Sequence, residues 1–90
     1  LKLVDGSNME EEILTEMGEI VAKAVDGNPE GEEREKRIAA QIRNTADEKF
    51  GSVWHCVVGK SMAVALRFQE HRLSHYVFNC AWHIYIWKTL

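Results

Sequence analysis

The chain has 90 residues, 46% of them hydrophobic and 28% charged, with a formal net charge of −3. A length of that order makes one domain, spanning 1–90, that buries only about 60–65% of its unfolded surface and gains from oligomerisation. The composition excludes a disordered chain, the net acidity argues against general nucleic-acid binding, and no apolar run is long enough to span a membrane.

The charge is divided unevenly. Residues 1–50 hold seven Lys/Arg against thirteen Asp/Glu, whereas residues 51–90 hold four against one and all four histidines. The C-terminal half can therefore carry a local positive surface. No signal peptide is visible. The chain opens at Leu1 rather than Met, as an N-terminally trimmed chain or a segment of a longer protein would.

Leu1 to Asp5 alternate weakly and predict a short outer strand, broken by Gly6. Ser7 followed by Glu10 fits a capping box, with Glu10, Glu11 and Glu12 in a first turn where the helix dipole favours anions. Ile13, Leu14, Met17, Ile20, Val21, Ala24 and Val25 then recur at helical spacing and predict a one-faced amphipathic helix. Its charged face reads as solvated surface. Gly27-Asn28-Pro29-Glu30-Gly31 ends it. A second helix is predicted from about Glu32, with Ile38, Ala39, Ile42, Ala46 and Phe50 in one stripe, Glu32, Glu33 and Glu35 at its start and Lys49 near its end. Gly51 stops it.

From Val53 the period changes to two. Val53–Val58 is apolar on both faces, the pattern of a central strand. Met62, Val64, Leu66 and Phe68 alternate with Ala63, Ala65 and Arg67; Tyr76 and Phe78 face opposite Val77; and Trp82–Trp87 is dense in aromatic and β-branched residues. Helices first and strands afterwards is an α+β pattern with a mostly antiparallel sheet.

The run Phe50-Gly51-Ser52-Val53-Trp54-His55-Cys56-Val57-Val58-Gly59-Lys60, behind a helix carrying Glu35-Lys36-Arg37-Ile38, resembles the small dynein light chains of the eight-kilodalton class. The Lys-Phe-Gly-Ser-x-Trp-His form, with Trp87-Lys88 near the C-terminus, leans toward the axonemal branch of that family. The resemblance runs from about Leu3 to Lys88, with one extra residue near Arg67-Phe68. It implies a two-fold homodimer in which the strand at Met62–Phe68 leaves its own subunit and pairs with the partner's sheet. An extended peptide, from a dynein intermediate chain or another linear-motif protein, would then add to that strand by β-augmentation. Such an addition also covers a long alternating edge that would otherwise aggregate.

The groove set the resemblance implies is Glu35, Lys36, Lys60, Met62, Ala63, Val64, Ala65, Leu66, Arg67, Phe68, Tyr76 and Phe78. The dimer set is His55, Val58, Gly59 and Ser61. Glu35 and Lys36 would stand where free helix N–H groups cap a peptide glutamine, and Tyr76 would line the groove. The chain departs from the family pattern at Val64, Ala65 and Arg67, at Phe78 where a tyrosine is common, and at Asn79-Cys80-Ala81. Arg67 favours an acidic ligand residue, and a more apolar groove favours aliphatic side chains over the family's Thr-Gln-Thr type. The resemblance places the protein in the cytoplasm and cytoskeleton, on microtubule motors and in the axoneme, either as a peptide-binding hub or as a dedicated structural light chain of one axonemal complex.

Other chemistries fare poorly. His71 and His75 have metal-binding spacing on a helix, but on a strand they lie about 13 Å apart at ~3.3 Å per residue. Cys56 beside His55 falls on the opposite strand face, and so does Cys80 relative to His83, so neither pair forms an activated thiol. Both cysteines read as small buried hydrophobes in a reducing, intracellular setting. The aromatic and basic residues of the C-terminal half lack the order and signatures of an RNA-stacking sheet. No enzyme activity, metal, cofactor, membrane or nucleic-acid partner is expected. His55 has two readings: near a two-fold axis it would carry two charges into a desolvated interface on protonation, so that dimerisation weakens as pH falls through the histidine range, or it is simply hydrogen-bonded in the core.

Overall fold

Apolar residues recurring every three to four positions call for a helix with one buried face. In the computed structural model, which describes residues 1–6, 9–51, 53–60, 72–78 and 82–88, α1 spans Glu11–Gly27 and buries Met17, Ile20, Val21 and Ala24. It begins later than the expected Ser7–Glu10 capping box would place it. Glu10 is the N-cap, extended and without a side-chain cap, so only Glu11 and Glu12 lie in the first turn. Met9, just ahead of it, is buried in the core and donates its N–H to the Gly6 carbonyl at 3.1 Å. Ser7 lies outside the described residues.

The second helix, α2, spans Arg34–Phe50 and buries Ile38, Ile42 and Ala46. Its N-cap, Glu33, is held in the left-handed region at φ 56°, a costly conformation for a residue with a Cβ. Gly51 closes α2 at φ 80°, where a side chain would be strained.

The strands form one antiparallel sheet in the order β1-β3-β4-β2: β1 is Lys2–Asp5, β2 Trp54–Lys60, β3 Arg72–Phe78 and β4 Trp82–Lys88. The predicted outer strand is thus β1, paired with β3 and irregular between Leu3 and Asp5. β3 begins well before Tyr76. The expectation of a central strand at Val53–Val58 needs correcting. β2 pairs with β4 over its whole length and has no other strand partner among the described residues. Its two-faced apolarity has another cause. Trp54, Cys56 and Val58 turn toward the helices, while His55 and Val57 lie beside Trp87 and Tyr85 on the other face. The predicted strand at Met62–Phe68 lies outside the described residues.

Both helices cover the same sheet face. Trp54, Ile84 and Ile86 are wholly buried there, and the Tyr76 hydroxyl donates to the Leu14 carbonyl at 3.1 Å, fixing α1 over β3. The Asp47 carboxylate accepts from the Trp54 N–H at 2.7 Å, fixing α2 over the start of β2.

α1 ends with no basic residue in its last turn. Its exposed carbonyls are met from outside instead. Arg34 Nε donates to Asn28 O at 2.6 Å and Nη2 to Val25 O at 3.3 Å, while Asn28 Nδ2 donates to Ala24 O at 2.7 Å and to Gln41 Oε1 at 2.9 Å. A cation at a helix C-terminus is favoured by the dipole as well as by its hydrogen bonds. Arg34→Ala should lower stability by about 1–3 kcal/mol in urea unfolding. Arg34→Lys should recover only part of that, because one ammonium cannot reproduce the guanidinium fork.

Burial pushes the Cys56 thiol up to about 12, against the opposing pull of the Arg43 charge, and pushes the Tyr76 hydroxyl up to about 12. Both groups are neutral when protonated, and both folded values lie above the unfolded ones. Their stabilisation is therefore complete below about pH 9 and is lost as pH climbs toward 12. The urea midpoint should hold level to about pH 8.5 and fall between about pH 9 and 11. Cys56→Ala should begin lower and fall less steeply over the same range.

Candidate functional site

An edge strand presents a row of backbone donors and acceptors, and β2 is the long one here. Its C-terminal end runs toward the start of α2. There Glu30, Gly31, Arg34, Glu35, Lys60 and Trp82 line an open hollow of about 210 Å³. The N-cap residue Glu33 makes no side-chain cap, and helix geometry leaves the N–H groups of the first turn without intrahelical partners. The hollow thus offers a carboxylate, an ammonium and helix-end donors within one small space, a set suited to an amide or a short polar side chain.

Four side chains lock this corner. Lys60 Nζ lies 4.7 Å from the centre of the Trp82 ring, Trp82 stacks parallel on Phe78 at 5.9 Å, and Arg34 lies 5.6 Å from the Phe78 ring. A cation thus sits on each end of an aromatic pair, the arrangement the ring quadrupole favours. The register explains the alignment, since Phe78, Trp82 and Lys60 form one row across β3, β4 and β2. Trp82 and Arg34 were not in the groove set expected from sequence. Only the row reveals the first, and only the folding of α2 onto the end of α1 reveals the second.

Of the expected groove residues, the structure brings Glu35 and Lys60 together and connects Phe78 to them through Trp82. Lys36 is exposed and paired with Glu33 at 3.3 Å, outside the hollow. Tyr76 is buried beneath α1, separated from β2 by Ile84. Of the expected dimer residues, Val58 is half-buried against the core. His55 lies on the sheet face away from the helices, stacked on Trp87 at 5.4 Å, and Gly59 is opposite His83 in register. Ser61 and Met62, Ala63, Val64, Ala65, Leu66, Arg67 and Phe68 lie outside the described residues, as do His71 and Cys80. No helix among the described residues is long and apolar enough to cross a membrane.

The chain matches the family profile described as dynein light chain type 1 over residues 2–89. The dynein axonemal light chain 4 of Homo sapiens is 30% identical over 86 residues, covering 96% of this chain and 79% of that protein. The cytoplasmic dynein light chain of Emericella nidulans is 32% identical over 93 residues, covering 99% and 86%. In fold, the dynein light chain-like domain of the Fasciola hepatica calcium binding protein FhCaBP2 superposes with a TM-score of 0.85 at 21% identity, covering 99% of this chain and 90% of that one. With two helices followed by an antiparallel sheet whose long edge is the Trp54–Lys60 strand, the chain belongs to the dynein light chain family.

Proposed function

We propose that this light chain is a non-catalytic motor-complex subunit that forms a two-fold homodimer and grips extended peptide segments by strand addition. The observation that carries this reading is β2, the long edge strand among the described residues, running into a hollow that holds both Glu35 and Lys60. An edge of that kind supplies main-chain hydrogen bonds for affinity, and the hollow supplies a pocket for selectivity. The Met62–Phe68 segment of a second copy is the strand that β2 would take, and the peptide would add beyond it. Two grooves per dimer let two weak contacts act together through effective concentration. The proposed ligand is a segment of a dynein intermediate chain or another linear-motif protein, in the cytoplasm or the axoneme. Membranes and nucleic acids are not among the partners.

The similarity to an axonemal light chain favours a second reading, a dedicated structural subunit of one axonemal complex without general peptide binding. The two separate at Arg67. Alanine there should shift the peptide preference of a general adaptor and abolish the single partner of a dedicated subunit.

Sedimentation equilibrium at neutral pH and micromolar concentration should give the mass of a dimer. A monomer throughout that range would leave the groove unassembled and defeat both readings. On an array of intermediate-chain segments, Lys60→Ala and Glu35→Ala should each weaken binding about tenfold, the value of one charge-assisted contact, without changing the dimer mass. His55→Lys should lower the dimer mass at neutral pH, and an unchanged mass would remove His55 from the interface.

A further inference from the structure

Two histidines that are distant in sequence meet on the sheet face turned away from the helices. His75 of β3 and His83 of β4 are diagonal neighbours in the register, since His75 is opposite Tyr85 and Val77 is opposite His83. His75 Nε2 and His83 Nδ1 stand 3.0 Å apart, with the rings tilted by 30°. Tyr85 stacks on His75 at 4.1 Å and 14°, which fixes the plane of that ring. Both histidines are half-buried, so the pair is partly shielded yet reachable.

We propose that this pair is a chelating site for a divalent transition-metal ion, with His75 Nε2 and His83 Nδ1 as its two protein ligands. The nitrogen spacing carries the inference. Metal–nitrogen bonds of about 2.0–2.1 Å put two tetrahedral ligands about 3.3 Å apart and two cis square-planar ligands about 2.9 Å apart. The observed separation falls between these values, so turning the two rings until both lone pairs converge on one ion admits a metal with no shift of either strand. Without metal, one nitrogen donates the hydrogen that the other accepts. On binding, the donor ring takes its proton on its other nitrogen. Both imidazoles stay neutral, each giving one lone pair to the ion, and no proton is lost.

Among the described residues no third His, Cys, Asp or Glu joins them. A pair of imidazole ligands favours Cu(II) and Ni(II) over Zn(II). The site stands on the geometry of a single chain and is independent of the peptide-binding reading.

The test is calorimetric titration of the full chain, stripped with chelator, with Ni²⁺ alone at pH 7.5. Saturable binding at one ion per chain or fewer, in the micromolar range, is expected. His83→Ala and the more conservative His83→Gln should each weaken it by about tenfold or more, as loss of a ligand does, while Glu16→Gln on the exposed face of α1 leaves it unchanged. Cu(II) bound to the parent protein should show hyperfine coupling to two imidazole nitrogens, reduced to one in His83→Gln. No binding at millimolar Ni²⁺, or equal affinity in the parent and in a folded His83→Gln, would overturn the site.

Discussion

Two helices can cover one face of a four-stranded sheet, and the rest of this structure follows from that constraint. The covered face carries the large buried side chains, with Trp54, Ile84 and Ile86 fully enclosed. The other face keeps Val57, Val77, Tyr85 and Trp87 half-buried, beside His55, His75 and His83. Among the described residues, one side of the sheet is fully packed and the other only partly covered. Surface burial at this chain length is modest in any case, so further burial through association has much to offer.

The helix ends decide where the chemistry gathers. α1 lacks a basic residue at its C-terminus, and Arg34 from the start of α2 supplies one. That solution pins the start of α2 over Phe78, and through Trp82 it pins Lys60 at the end of β2. One local electrostatic need at a helix terminus thus places Glu35 beside the end of the edge strand. At the opposite end of α2, Lys88 donates to the Phe50 carbonyl at 3.4 Å and lies over Trp54, so both ends of the helix are tied to the sheet by cations.

Both helices were legible in the sequence because burial on one face writes a period of 3.6 into the chain, as at Met17, Ile20, Val21 and Ala24. The resemblance carried by Trp54–Lys60 added the family, and the composition agreed with it. What pattern alone could not settle was pairing. Val53–Val58 looks central because both its faces are apolar, and nothing in that run says that β4 is its one strand partner among the described residues. The capping box at Ser7 and Glu10 was locally sound, but α1 begins only after Glu10, with Met9 ahead of it in the core. Trp82 and the His75–His83 pair were invisible for the same reason. Each acquires its neighbours only through register across strands, which one sequence does not display.

The irregularity in β1 has a consequence for how copies of this fold can accumulate. The sheet's short edge strand is kinked between Leu3 and Asp5, while β2 at the other edge is seven residues long and pairs in unbroken register. A kinked edge is a poor template for another strand. Among the described residues, lateral growth is therefore directional, with β2 the edge suited to a further strand and β1 the edge that is not. A chain with one receptive edge can join a second copy and come to rest as a closed pair, whereas two receptive edges would propagate into a fibre.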